Sequence, residues 1–273
     1  MRVVPPRGPE TPVVVEVPHA GLSLDALSLA TLVCPARAVG RDADLYVDEL
    51  YADAPDHGAT MLVATASRYV VDLNRAETDV DRDSVEGAGT SIRATRGLVW
   101  RLTSDGDPAI AAPLPRAEVE RRLEAHYRPY HRALAELLEQ KRRRFGYAVL
   151  LAAHSMPSTG RRGHGDPDEV RADVVPGTRG RTSAAAVFID AVDAEARARG
   201  LSVAHDTPYR GGYVTAHYGR PDLDVHVVQV ELARRLYMDE DTLTKRTPGF
   251  ERTRAFASAL VAALAAVRPD RRA

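Results

Sequence analysis

A run of seven apolar residues, YAVLLAA at 147–153, constrains the fold more than any other segment of this sequence. An uninterrupted apolar run of this length is typical of a central strand in a parallel sheet that helices cover on both faces. Other short apolar runs predict further strands, and segments with helical periodicity alternate with them. The sequence therefore predicts an α/β fold with a mostly parallel, mixed sheet flanked by helices.

The remaining elements follow from periodicity and from Gly and Pro positions. Strands are predicted at 13–17, 59–64, 68–73, 201–204, 211–215 and 225–230, with a further one near 98–100. Helices are predicted at 24–32 with Ser23 as the cap, 44–51, 117–144 with a break at Pro129, 183–199 and 250–267. Residues 76–112 and 158–180 are predicted to be loops. No repeat or linker divides the chain, which predicts one domain over residues 1–273.

Composition argues against several classes of protein. The longest apolar runs are too short to span a membrane. Residues 1–10 are proline-rich and polar, unlike a signal peptide, so we expect the protein in the cytoplasm. The net charge of −1 lacks the basic excess of a nucleic-acid-binding protein. We therefore expect a small-molecule partner rather than a nucleic acid or a membrane; the sequence does not specify an oligomeric state.

The cysteine and histidine counts limit the kind of metal site. The chain has one cysteine, Cys34, which excludes an internal disulfide and a cysteine-based zinc cluster. It has nine histidines. A transition-metal site in this chain must therefore be built from histidine and carboxylate.

Polar residues terminate four of the predicted strands. They are His19, the pair Asn74 and Arg75, His154 and Glu231. In open α/β sheets, ligands bind beyond the carboxyl ends of the strands, so these residues are candidates for one site. Each also has an ordinary interpretation: a hydrogen-bonded histidine, or a glutamate that begins a helix.

Two histidines and a carboxylate can hold a zinc ion with one position left for water. The ion lowers the pKa of that water towards about 7, and a second carboxylate can take its proton. The local motifs HExxH and HxxE are absent from the sequence. Any ligands must therefore come from positions far apart in the chain.

Seven segments carry a resemblance to a known family. They are VPHAG (17–21), RDADLYVDELY (41–51), SRYVVDLNR (67–75), RPYH (128–131), AHS (153–155), GGYVTAHYGRP (211–221) and VVQVELARRLYMDE (227–240). In this order they resemble the N-formylglutamate amidohydrolases, metal-dependent hydrolases that cleave N-formyl-L-glutamate to formate and glutamate in histidine degradation. The resemblance implies an architecture similar to that of the zinc carboxypeptidases and phosphorylase/hydrolase-like proteins.

The resemblance also implies a ligand set for one divalent metal ion, most simply zinc. His19 and His154 match the family's metal-binding histidines, and Asp44 is the preferred acidic ligand over Asp42 and Asp48. The competing interpretation of Asp44 is a helix N-cap.

The resemblance assigns roles to further residues. Glu231 is the candidate general base, and His217 or Tyr218 is a candidate donor to the developing oxyanion. Arg75, with Asn74 beside it, is the candidate for a substrate carboxylate, although an ion pair with Asp72 would also explain it. N-formylglutamate has two carboxylates, and the candidates for the second are Arg68, Arg93, Arg96, Arg210 and Arg220.

Three alternatives stay open at this point. The first is hydrolysis of a different N-acyl amino acid or small amide at the same metal, since residues 86–108 and 164–183 depart from the family's pattern in predicted loops. The second is a non-catalytic carboxylate-binding protein with a decayed site. The third, a serine hydrolase centred on Ser155, lacks the G-x-S-x-G elbow.

Overall fold

A six-stranded mixed sheet forms the centre of the molecule. The computed structural model describes residues 1–88 and 96–269. The strands of this sheet are β1 (Arg2–Val4), β2 (Val13–Val17), β3 (Thr60–Val63), β4 (Ala148–Met156), β5 (Val174–Gly177) and β6 (Val225–Ala233). Their order is β1-β3-β2-β4-β6-β5. The four central strands are parallel, and β1 and β5 pair antiparallel at the two edges.

Helices cover both faces of this sheet. They are α1 (Ala26–Ala30), α2 (Ala36–Asp42), α3 (Val47–Leu50), α4 (Arg116–Arg122), α5 (Arg128–Phe145), α6 (Ala186–Arg197), α7 (Tyr213–Tyr218) and α8 (Thr247–Ala266). Helices α3, α6 and α8 pack on the face that carries Val15 and Leu151. Helices α4, α5 and α7 pack on the face that carries Val14 and Leu150. The two strands β7 (Met238–Asp239) and β8 (Thr244–Lys245) form a separate hairpin. In the described ranges, no helix is long and apolar enough to span a membrane.

The α/β prediction is confirmed, and so are the strongest individual elements. Strands β2, β3, β4 and β6 and helices α6 and α8 lie where the apolar patterns predicted them. The long helix predicted at 117–144 is interrupted by a π-helical turn at Leu123–Tyr127, directly before Pro129. Proline lacks an N–H donor and clashes with the carbonyl four residues earlier, so the break lies where proline predicts it.

Several weaker predictions are wrong. Residues 68–73 form turns rather than a strand, because Arg122 donates to the carbonyls of Tyr69 and Val70 at 3.2 and 3.0 Å. Residues 211–215 lead into α7 instead of a strand. Residues 201–204 and 98–100 contain isolated bridges at most, and the predicted loop at 158–180 contains β5.

Two predicted helices also differ from the structure. Helix α1 is capped by Asp25, whose side chain accepts from Ser28, and not by Ser23. The helix predicted at 44–51 shrinks to the single turn α3, because Tyr46 takes a left-handed conformation with φ of 67°.

Leu150 tests the packing of the central strand. Its side chain is 0% exposed, and it pairs with Val14 on one side and Val227 on the other. We expect Leu150→Ala to lower the free energy of unfolding by about 2–5 kcal/mol in urea titrations, because it leaves a cavity in close-packed surroundings. The control Leu223→Ala, at a side chain 53% exposed, should change it by less than about 0.5 kcal/mol. Equal effects would contradict the proposed core.

Candidate active site

The carboxyl ends of three parallel strands converge on the predicted site. His19 lies two residues beyond β2, and His154 and Glu231 lie near the ends of β4 and β6. His154 and Glu231 are direct register partners across the β4–β6 ladder. Asn74 and Arg75 reach the same place from the turns after β3 rather than from a strand end. The structure therefore brings these polar residues together at one end of the sheet.

These residues line a cavity of about 270 Å³. Its polar lining combines carboxylates, imidazoles, amides, guanidinium groups and a hydroxyl, and includes His19, Asp44, Arg68, Asp72, Asn74, Arg75, His154, Ser155, Arg210, Gln229, Glu231 and Arg234. Such a concentration of buried charge is costly unless the groups are paired or bind a ligand. The cavity is therefore the candidate active site.

Asp44 lies between the two histidines. Its Oδ2 atom is 3.1 Å from His154 Nδ1 and 3.6 Å from His19 Nδ1. All three residues are 2% exposed, and one donor atom from each lies within 4.8 Å of the others. Burial alone would raise the pKa of Asp44, but hydrogen bonds and charge from His154 and His19 hold it well below its ordinary value.

The donor set has the composition of a metal site, and its atoms lie close enough together to hold an ion. Two imidazoles and one carboxylate are a common set for catalytic zinc, and a tetrahedral site places neighbouring donor atoms roughly 3.3 Å apart. His19 Nδ1 is buried and lacks a hydrogen-bond partner among the described residues. A buried ring nitrogen without a partner, facing a carboxylate and a second histidine, fits a metal ligand.

Asp72 fixes the orientation of His19. Its Oδ1 accepts from His19 Nε2 at 2.9 Å, so the opposite nitrogen, Nδ1, faces Asp44. Its Oδ2 accepts from Arg68 at 2.9 Å and from Trp100 Nε1 at 2.9 Å. A carboxylate behind a ligating histidine is the usual arrangement in zinc sites, where it sets the tautomer and raises the basicity of the ligand.

The other acidic candidates lie elsewhere. Asp42 is buried, but it accepts from the Tyr69 hydroxyl at 2.5 Å and pairs with Arg161 at 3.1 Å. Asp48 is on α3 and does not line the cavity. Asp44 is not a helix cap, since α3 begins at Val47 without a side-chain cap.

Glu231 is held beside the histidines by Gln229. The Gln229 amide donates to Glu231 Oε1 at 2.9 Å, and its own carbonyl oxygen accepts from the Gly212 backbone at 2.9 Å. Burial raises the pKa of Glu231 above its ordinary value, although the nearby His154 opposes that shift. A carboxylate with a raised pKa is better suited to take and return a proton.

Asn74 connects the turn after β3 to the start of α7. Its Oδ1 accepts from Val214 N at 2.9 Å, and its Nδ2 donates to Gln229 at 3.3 Å. Gly212 permits this contact, because a Cβ there would lie 2.4 Å from Asn74 Nδ2. The side chain therefore supports the cavity wall that it lines.

The arginines that could bind a substrate carboxylate differ in whether another group of the described chain already occupies the guanidinium. Arg68 is paired with Asp72, Arg220 with Asp222, and Arg96 donates to the Gly163 carbonyl. Arg75 and Arg210 line the cavity, and in the described part of the chain neither guanidinium forms an ion pair. The suggested ion pair between Arg75 and Asp72 is therefore absent there. Arg93 lies outside the described residues.

His217 and Tyr218 are not brought to the cavity. Both lie on α7 rather than in the loop that was predicted, and neither lines the cavity. His217 is exposed, and the Tyr218 hydroxyl is 3.0 Å from His131 Nδ1. Their roles as donors to the oxyanion or to the substrate stay predictions.

Sequence reasoning missed three groups in this site: Asp72 as the partner of His19, Gln229 as the partner of Glu231, and Arg234. Alternation along β6 could have found Gln229, because residues 229 and 231 share one face of the strand. Arg234 lies 3.3 Å from Asp44 and donates to the Ala43 carbonyl at 2.7 Å. Its contacts join segments 190 residues apart, for which the local sequence holds no signal.

Known proteins are similar to this chain in both sequence and fold. A model of the family described as N-formylglutamate amidohydrolase matches residues 11–238. The N-formylglutamate deformylase of Pseudomonas aeruginosa is 38% identical over 93% of each chain. The N-formylglutamate deformylase of Pseudomonas putida is 36% identical over 84% of this chain and 82% of its own.

Solved structures agree with these sequence matches. The N-formylglutamate amidohydrolase from Ralstonia eutropha superposes with a TM-score of 0.88 at 32% identity, covering 97% of this chain and 96% of its own. A gene product from Agrobacterium tumefaciens shares the fold alone, with a TM-score of 0.58 at 19% identity over 94% and 92% of the two chains. The sequence matches, the shared fold and the sequence segments that first suggested the resemblance agree. This chain belongs to the N-formylglutamate amidohydrolase family.

Proposed function

We propose that this chain hydrolyses the formamide bond of N-formyl-L-glutamate, giving formate and glutamate. The observation that carries the proposal is the buried cluster of His19, Asp44 and His154 beside Glu231, in a cavity bordered by two guanidinium groups that form no ion pair among the described residues. The relatives named N-formylglutamate deformylase support the choice of substrate.

His19, Asp44 and His154 are the residues that would hold a divalent metal ion, for which zinc is the best match to the donor set. When bound, such an ion polarises the formyl carbonyl and lowers the pKa of water. Asp72 holds His19 in the orientation that leaves Nδ1 free for this role.

Glu231 is the proposed general base and acid. It takes a proton from the attacking water as the water oxygen bonds to the formyl carbon. It then returns that proton to the nitrogen of the substrate as the C–N bond breaks, which releases the amine. The hydrogen bond from Gln229 leaves the second carboxylate oxygen available for these transfers.

Arg75 and Arg210 are the proposed partners of the two substrate carboxylates. The α-carboxylate is fewer bonds from the formyl carbon than the side-chain carboxylate, so it lies deeper in the cavity. The Nε atom of Arg75 is buried and unpartnered among the described residues, whereas Arg210 is exposed at the rim. We therefore assign the α-carboxylate to Arg75 and the side-chain carboxylate to Arg210.

Further properties stay predictions. The family resemblance implies the similarity to zinc carboxypeptidase architecture and a role in histidine degradation, and the composition of the chain predicts the cytoplasm as compartment and one domain over residues 1–273. The site draws its residues from His19 to Arg234, which supports a single domain.

Metal analysis tests the ligand set. We expect His154→Ala to lose tightly bound zinc after loading and desalting, because one of three ligands is removed. The control His126→Ala, whose ring lies 3.4 Å from Asp25 away from the cavity, should keep about one ion per chain. The zinc content of each folded variant is measured by mass spectrometry. Stoichiometric zinc in His154→Ala would overturn this ligand set.

Replacing Glu231 separates metal binding from proton transfer. Glu231→Gln should lower kcat for formate release by about 10²–10⁴-fold while zinc content is unchanged, because the amide cannot take a proton. Full turnover in this variant, with zinc retained, would exclude Glu231 as the base.

Arg210 should select for the side-chain carboxylate. We expect Arg210→Ala to lower kcat/KM for N-formyl-L-glutamate by roughly 10- to 100-fold, since a charge-assisted contact is lost. The same variant should change N-formyl-L-norvaline hydrolysis little, because that substrate lacks the second carboxylate. Arg220→Ala, at an exposed ion pair outside the cavity, is the matched control. An equal loss on both substrates would contradict the assignment.

A further inference from the structure

Three consecutive carbonyl groups next to the cavity each accept a hydrogen bond from a helix. The Leu73 carbonyl lies 3.0 Å from His131 Nε2, and the Arg75 carbonyl accepts from the Tyr127 hydroxyl at 2.7 Å. Between them, the Asn74 carbonyl accepts from the Tyr213 backbone at 3.2 Å. Tyr127 and His131 are one turn apart, at the junction of the π-helical turn and α5, so they face the same segment.

The His131 ring is fixed in one tautomer. A carbonyl oxygen only accepts, so His131 Nε2 must carry the proton that reaches Leu73. Nδ1 then lacks a proton, and the Tyr218 hydroxyl, 3.0 Å from Nδ1 and 3.2 Å from the His131 carbonyl, can donate to either. Burial lowers the pKa of His131 to about 4, which keeps the ring neutral near pH 7.

Aromatic packing holds this ring in place. The centroids of His131 and Tyr127 are 4.2 Å apart, Tyr218 stacks on His131 at 6.0 Å, and Tyr213 meets it edge-on at 5.5 Å. Tyr127, His131 and Tyr218 do not line the cavity. They can therefore affect a substrate through the Leu73–Arg75 segment but not by touching it.

The Arg75 side chain depends on this backbone for its direction. In the described part of the chain its guanidinium has no carboxylate partner, and its Nε atom is buried without one. No side chain among the described residues orients the Arg75 guanidinium. Its position therefore depends on the peptide groups on either side of the Arg75 Cα. An error of about 1 Å in such a group is enough to weaken substrate positioning strongly.

We propose that Tyr127 and His131 are positioning residues that hold the Leu73–Arg75 backbone so that Arg75 meets the substrate carboxylate. This inference rests on the proposed function, in which Arg75 binds that carboxylate. It gives His131, the last residue of the RPYH segment, and the Tyr218 hydroxyl an indirect role in substrate binding.

Kinetics of two variants test the inference. Tyr127→Phe removes only a hydroxyl and should raise KM for N-formyl-L-glutamate roughly three- to tenfold, with kcat nearly unchanged. His131→Leu should raise KM at least as much, and His131→Gln should recover part of the loss because its amide can still donate to Leu73. Tyr147→Phe is the matched control, since its hydroxyl bonds the Val267 carbonyl at 3.3 Å, near the start of β4.

A double-mutant cycle separates positioning from general stability. If Tyr127 acts through Arg75, then Tyr127→Phe should change kcat/KM little in an Arg75→Ala background. An unchanged KM in the single variants, or the same fold loss with and without Arg75, would overturn the inference.

The two proposals fail in different ways. Absence of formate release by the zinc-loaded wild-type protein would refute the proposed function, and with it the role of Arg75 toward this substrate, but not the claim that Tyr127 and His131 hold the Leu73–Arg75 backbone. In that case crystal structures decide the positioning role: a displaced Leu73–Arg75 backbone in Tyr127→Phe and His131→Leu supports it, and an unmoved backbone overturns it.

Discussion

The burial of Asp44 imposes a condition that the surrounding structure must meet. A carboxylate that is 2% exposed is unfavourable unless it is compensated by positive charge and hydrogen bonds. Two histidines, both equally buried, and Arg234 supply that compensation. Asp72 in turn accepts a hydrogen bond from His19, and the positive charge of Arg68 pairs with the Asp72 carboxylate. The site is thus a series of alternating carboxylates and nitrogen donors, with Arg68 and Arg234 as its positive charges, that stabilises a carboxylate able to bind a cation.

The parallel sheet makes this arrangement possible. Strands β2, β4 and β6 run in the same direction, so their carboxyl ends bring His19, His154 and Glu231 to one edge. The register of β4 against β6 places His154 directly beside Glu231, which couples the proposed ligand to the proposed base. Loops and short helices then add the groups that contact substrate, as is usual when a rigid sheet carries a site.

The sequence predicted the parts of this structure that depend on burial. Continuous apolar runs located β2, β4 and β6, and their terminal polar residues pointed to His19, His154 and Glu231. The prediction failed at residues 68–73, whose apolar side chains are buried as in a strand, because Arg122 donates to the carbonyls of Tyr69 and Val70 in place of a neighbouring strand. It also placed His217 and Tyr218 wrongly in a loop, because the contact between Asn74 and Val214 that starts α7 joins residues 140 positions apart. Contacts of that range have no local pattern.

In the proposed site, His19, Asp44 and His154 together hold one metal ion. A crystal structure of the zinc-loaded protein, with anomalous scattering data collected at the zinc edge, tests this directly. We expect one strong anomalous peak bonded to a nitrogen of His19, a nitrogen of His154 and a carboxylate oxygen of Asp44, with Glu231 outside the coordination sphere. A peak held by other side chains, or none in the cavity of an active, zinc-loaded protein, would contradict it.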